Sequence, residues 1–221
     1  MAQASQDTDT PRGLAFAVSA YFLWGFLPLY MKLLDHVPAF EIVAHRIVWS
    51  VPVAAAVLIA LRRTRDIRAA LRSPRMLAMG ALTATLITVN WCIYVWAVTS
   101  GHAIEAALGY YINPLFSIAL GALLLGERLT RAQWVAVGLA SLAVIILTVE
   151  TGRLPLAALG LTVSWGFYAF FKKSLPIGPN QGFLLEVLIL TIPALGYIGY
   201  LTATGQSHFA TVQFDTLLLL G

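Results

Sequence analysis

Seven long apolar stretches divide this chain of 221 residues, and they leave few folds open to it. A helix needs about 20 mostly apolar residues to cross the roughly 30 Å hydrocarbon core of a bilayer. Segments at approximately 13–34, 39–61, 76–98, 102–126, 131–149, 154–172 and 181–203 have the length and character of such spans. An eighth apolar run opens at Thr216. Strands of a membrane barrel are short and alternate in polarity, whereas these segments are continuously apolar. The fold expected is therefore an all-α polytopic membrane protein. Composition points the same way, with 59% of residues hydrophobic and 11% charged, against about 25% charged in a soluble domain. So little charge cannot cover a water-facing surface. The single Cys92 excludes an internal disulfide and a cysteine-rich metal site.

Residues 1–12 are small and polar and read as a disordered cytoplasmic tail. Asp7 and Asp9 precede the first apolar run, whereas a secretory signal needs a positive start and a short apolar core. The basic residues then set an orientation. Arg62, Arg63, Arg65, Arg68, Arg72 and Arg75 fill the connection between spans two and three, and cytoplasmic loops carry the excess of Lys and Arg. With that loop inside, Arg12, Arg128, Arg131, Lys172 and Lys173 also fall inside, and only Lys32 and Arg153 fall outside. The net charge of +4 is accordingly read as topology, not as a nucleic-acid surface. The partners expected are membrane lipids and a small-molecule substrate, with a homodimer left open.

The chain also repeats itself. Shifted by 141 residues, Trp24-Gly25-Phe26 falls on Trp165-Gly166-Phe167, Lys32 on Lys173, Leu34 on Leu175, Pro38 on Pro179 and Pro52 on Pro193. The expected organisation is a tail (1–12), a first five-helix repeat (13–153) and a second repeat (154–221) that is incomplete at its C-terminus. A unit of five spans is odd, so the two copies enter the membrane from opposite sides. Inverted repeats are a transporter architecture with the substrate site near the midplane between the halves. A full second copy would extend about three spans past Gly221.

Four stretches carry a family resemblance: Trp24 to Lys32 (WGFLPLYMK), Glu41 to Ser50 (EIVAHRIVWS), Ala107 to Leu115 (ALGYYINPL) and Gly126-Glu127-Arg128-Leu129. Together they resemble RarD-type proteins of the EamA family, in the drug/metabolite transporter superfamily. The resemblance covers about residues 13–221. It implies a ten-span protein of the bacterial inner membrane, built from two five-helix repeats, that moves small metabolites or drugs, with export as the direction expected.

Ionisable groups inside spans cost about 2.5–3.5 kcal/mol each on insertion scales, so they should face a cavity or a partner. Span two carries Glu41, His45 and Arg46, with Glu41 and His45 on one helix face. Two readings of Arg46 stand. It binds an anionic group of the substrate, or it snorkels and pairs with Glu41 or Glu105. In the repeat register His45 falls on Glu186, which makes these two the candidates for proton coupling, against the plainer reading of local hydrogen bonds.

Span four contains Glu105, Tyr110, Asn113 and Pro114, and a proline there disturbs the preceding turn. Such disturbed backbone is tolerated where it lines a cavity or finds a local partner. Asn90 and Tyr94 share a face of span three, as cavity lining or as an interhelical hydrogen bond. Trp24 and Trp165, with Tyr168, make an aromatic set on the first span of each copy, suited to apolar or aromatic solutes and cations or simply to packing. The candidate substrate-binding residues are thus Trp24, His45, Arg46, Asn90, Tyr94, Glu105, Tyr110, Asn113, Trp165 and Tyr168. The sequence holds no catalytic triad motif, metal-ligand spacing or glycine-rich phosphate loop. No enzyme activity, metal or cofactor is expected, and transport would be coupled to an ion gradient, to exchange or to neither. The rival to a carrier is a membrane scaffold or sensor whose polar residues only hold helices together.

Overall fold

The computed structural model describes residues 11–126, 128–152, 154–211 and 213–220, with backbone alone at Arg12, Arg65, Leu125 and Thr151. Residues 1–10 of the expected tail, Glu127 and Arg153 lie outside the described residues. The helices are α1 (Pro11–Lys32), α2 (Ala39–Ala60), α3 (Thr64–Leu71), α4 (Pro74–Thr99), α5 (Ala103–Leu125), α6 (Arg131–Thr151), α7 (Leu156–Lys173), α8 (Pro179–Ala203) and α9 (Gln213–Leu219). No strand occurs among the described residues. Pro11 opens α1, where its missing N–H costs nothing, so the helix takes up the last two residues assigned to the tail.

Local signals explain several helix ends. Ser73 caps α4 by accepting from the Met76 amide, with Pro74 directly inside. Thr130 and Gln133 form a reciprocal capping box at the start of α6. α5 stops where Gly126 takes a left-handed φ of 68°, a conformation that suits a residue without Cβ.

Six helices, α1, α2, α4, α5, α6 and α8, are long and apolar enough to cross a bilayer. The seventh expected span, 154–172, is the 18-residue α7, which ends on Lys172-Lys173 and is not among those six. The reason is its surroundings. α7 packs against α4 and α5, and Ala157, Ala158, Thr162, Ser164 and Gly166 are buried there. A helix wrapped by protein can carry small and hydroxylated side chains that a lipid-facing helix would expose at a cost.

Small residues bring the backbones together. A Cβ on Gly109 of α5 would stand 2.8 Å from the Ala158 carbonyl oxygen of α7. Beside that contact Thr162 donates its hydroxyl to the Gly109 carbonyl at 2.9 Å. α2 and α8 pack side by side, and Leu58, Leu184 and Leu185 form a core with Ile67 and Ala70 of α3. The arginine-rich connection therefore contains a short amphipathic helix that the charge pattern did not announce. Ile67 and Ala70 turn inward, while Arg62, Arg63, Arg68 and Arg72 stay exposed.

At the opposite end the connection after α8 folds back over the start of α2. There Met31, Leu34, Ile42, Val95 and Leu219 form a second core. α1 and α6 are the peripheral helices, with most of their large apolar side chains exposed as lipid-facing surfaces would be.

Candidate functional site

Two cavities meet at Trp91 of α4. The larger, about 470 Å³, lies among α1, α4, α5 and α7 and is walled by Trp24, Trp91, Tyr94, Tyr110 and Trp165. The rings run edge-to-face in a chain. Trp91 and Tyr94 have centroids 5.8 Å apart, Tyr94 and Tyr110 5.9 Å, and Tyr110 and Trp165 6.3 Å. Aromatic pairs prefer such angles because ring edges carry partial positive charge and faces partial negative. Trp24 reaches the cavity from α1 beside Leu27 and Pro28. No carboxylate or basic residue is among the described residues that line it.

The smaller cavity, about 130 Å³, lies among α2, α4 and α8, and Arg46, Thr88, Trp91 and Glu186 are on its walls. The Arg46 guanidinium stands 4.5 Å from the centroid of the Trp91 ring. Arg46 has no carboxylate within ion-pair distance among the described residues, so neither Glu41 nor Glu105 neutralises it. Its charge rests on the ring face, which attracts a cation through the ring quadrupole.

The carboxylates are engaged elsewhere. Glu186, 1% exposed, pairs with Lys172 at 2.6 Å, and the Tyr168 hydroxyl donates to its other oxygen at 3.3 Å. Tyr168 in turn packs on Trp165 with centroids 5.6 Å apart, so it joins the aromatic wall to the buried ion pair. Glu41, fully buried, accepts from the His208 amide at 2.7 Å, pairs with the His208 ring at 2.8 Å and accepts from the Ser207 hydroxyl at 3.4 Å. His45, on the same face, stacks on Phe209 at 4.7 Å, and its Nε2 has no hydrogen-bond partner among the described residues. His45 and Glu186 do not line a common cavity.

Asn90 is 1% exposed and ties α4 to α7, donating to the Leu161 carbonyl and to the Ser164 hydroxyl, each at 3.0 Å. Its own oxygen accepts from the Tyr110 hydroxyl at 3.5 Å. Asn90 thus stands behind the aromatic wall and orients Tyr110. Glu105 is half-buried in the first turn of α5, where Ala103, Ala106 and Ala107 face the cavity. Asn113 is buried three residues beyond Tyr110, and its Oδ1 has no hydrogen-bond partner among the described residues. α5 continues unbroken through Pro114.

Of the ten candidate binding residues, the structure brings Trp24, Tyr94, Tyr110 and Trp165 to one cavity and Arg46 to the adjoining one. Asn90 and Tyr168 support those walls, and His45, Glu105 and Asn113 line neither cavity. Sequence reading missed His208 as the partner of Glu41 and Lys172 as the partner of Glu186. It also missed the His36–Asp215 pair, 3.0 Å apart, that fastens α9 to the α1–α2 turn. Among the described residues no group of three or more His, Cys, Asp or Glu is arranged to hold a metal ion.

Residues 11–149 match the EamA-like transporter family. The chain is 49% identical to Protein RarD of Streptomyces exfoliatus over 97% of its own length and 68% of that protein. It is 38% identical to Protein RarD of Escherichia coli K12, over 96% of this chain and 72% of that one. It is 39% identical to an uncharacterized transporter of Vibrio cholerae, over 96% and 70%. No solved structure matches the chain. With a family match across more than half its length and these identities across nearly all of it, the chain belongs to the EamA-like transporter family as a RarD-type multi-pass membrane transporter of the drug/metabolite class.

Proposed function

We propose that the protein is a secondary transporter of the bacterial inner membrane that moves small metabolites or drugs outward by alternating access between two inverted helix bundles. One observation carries the reading: an aromatic cavity of about 470 Å³ between helices of the two proposed halves, α1, α4 and α5 on one side and α7 on the other. Its volume lies in the range of small-molecule sites. A site between two bundles is also where rocking of one against the other would alternate its access.

Helix ends support the proposed duplication. α1 and α7 close on Lys32 and Lys173, and α2 and α8 carry Pro52 and Pro193 inside, both in the 141-residue register. The N-terminus and the α3 connection are placed in the cytoplasm, following the arginines. The scaffold reading keeps one point in its favour: Asn90, Glu41 and Glu186 are each satisfied by a neighbouring element. Arg46, by contrast, rests on the Trp91 ring with no carboxylate among the described residues within ion-pair distance, and the aromatic walls leave an open cavity between them.

The test is flux in sealed vesicles with a panel of metabolites and an imposed pH gradient. The carrier reading expects at least one solute to move faster than in protein-free vesicles and to slow with Arg46→Ala. Rates equal to protein-free vesicles for every solute would favour the scaffold.

A further inference from the structure

Aromatic walls alone would admit apolar solutes and cations alike, because ring faces attract positive charge. The charges around this cavity remove that ambiguity. Trp91 is a wall of both cavities, and the Arg46 guanidinium already occupies a position 4.5 Å over its ring. Among the described residues no carboxylate lines the aromatic cavity. Glu186, the one carboxylate on the adjoining cavity, is held by Lys172 at 2.6 Å, and Glu41 is held by His208 at 2.8 Å. A cationic guest would meet Arg46 across Trp91, and the described lining of the cavity offers it no carboxylate. An anionic guest would find in Arg46 a cation that no described carboxylate neutralises. At the reduced dielectric inside a membrane such a difference is felt more than in bulk water.

We infer that the site selects an aromatic or bulky apolar monoanion over the corresponding cation, its ring among Tyr94, Tyr110 and Trp165 and its acid group directed towards Arg46. This deepens the transport reading by naming a substrate class. The selectivity itself is a property of binding and can be measured without flux.

The probes are three molecules of one shape and different charge: 2-naphthylacetate, 2-naphthylacetamide and 2-naphthylethylamine. Binding is followed by calorimetry on the protein in phosphatidylcholine nanodiscs, so that lipid charge does not bias the series. The acetate is expected to bind about tenfold more tightly than the amine, with the amide between. In Arg46→Gln the acetate-to-amide preference is expected to fall below about twofold, and in Arg46→Lys to survive in part. An amine that binds as well as the acetate, or no binding by any of the three, overturns the inference on the unaltered protein alone. A preference that persists in Arg46→Gln overturns the role of Arg46. Vesicle flux of the same probes separates the two readings. Anion-selective binding without flux of any solute sinks the carrier and leaves the selectivity, whereas flux that favours the amine does the reverse.

Discussion

The side-chain amide of Asn90 on α4 donates to the Ser164 hydroxyl on α7 at 3.0 Å, in a region that both helices keep from solvent. The same amide reaches the Leu161 carbonyl, and the Asn90 oxygen receives the Tyr110 hydroxyl. One residue thus locks the two helices and sets the pose of a cavity wall. Asn90→Ala removes all three contacts and leaves the Tyr110 hydroxyl without this acceptor, so it should destabilise the protein by about 1–2 kcal/mol. Ser164→Ala should cost less, because Asn90 keeps the Leu161 carbonyl. The coupling between the two sites should be about 0.6 kcal/mol, the usual size for interhelical hydrogen bonds in membranes. Unfolding by titration with a denaturing detergent measures all three.

Gly109 tests the close approach of α5 and α7. A Cβ there would meet the Ala158 carbonyl oxygen at 2.8 Å, a backbone atom that cannot swing away. Gly109→Ala should therefore force the helices apart and destabilise by about 1–3 kcal/mol. Gly138→Ala on α6, where a Cβ would meet nothing within 4 Å, should be neutral or slightly stabilising through helix propensity. Equal effects of the two substitutions on the unfolding midpoint would mean that α5 and α7 are not in backbone contact.

The spans were legible because apolar length is a local property. Trp24 and Trp165 could be connected because the repeat places them in register, and they do line one cavity. Contacts between remote segments left no such trace. Glu41 and His208 are 167 residues apart, and nothing in either neighbourhood indicates the other. Lys172 was read only as an orientation signal, because a basic residue at a span end serves both as an anchor and as an ion-pair partner. The inward face of α3 was visible in the three-residue spacing of Ile67 and Ala70. Its arginines drew attention to charge instead. Arg46 stayed ambiguous in sequence because either a carboxylate or a ligand could have satisfied it, and nothing in its neighbourhood pointed to the Trp91 ring on which its guanidinium rests.

The Lys172–Glu186 pair should show the asymmetry of buried charge. Lys172→Met leaves an uncompensated carboxylate at a site 1% exposed and should cost about 3–5 kcal/mol. The double substitution Lys172→Met with Glu186→Gln removes both charges and should recover most of that stability, since a neutral amide can still accept the Tyr168 hydroxyl. Detergent-titration midpoints of the two single variants and the double variant measure the effect. If Glu186 carries a coupling proton, the recovered double variant should also lose any stimulation of flux by a pH gradient. Retained stimulation in a stable double variant would remove Glu186 from the coupling route.

Orientation is open to a direct chemical test. Arg68 on α3 and Gln206 in the connection after α8 sit at opposite ends of the bundle and are both exposed. In a background where Cys92 is replaced by Ala, Arg68→Cys and Gln206→Cys each leave one thiol. The proposed orientation puts the arginine-rich end in the cytoplasm, on the rule that positive loops are retained there. A membrane-impermeant maleimide should therefore label Gln206→Cys in intact spheroplasts and label Arg68→Cys only after the membrane is opened. The reverse pattern would turn the whole bundle over while leaving its internal packing unchanged. It would then also reverse the side of the membrane on which the Glu41–His208 contact lies. Labelling of both thiols in intact spheroplasts would contradict the proposal that all five helices from α4 to α8, α7 included, cross the membrane.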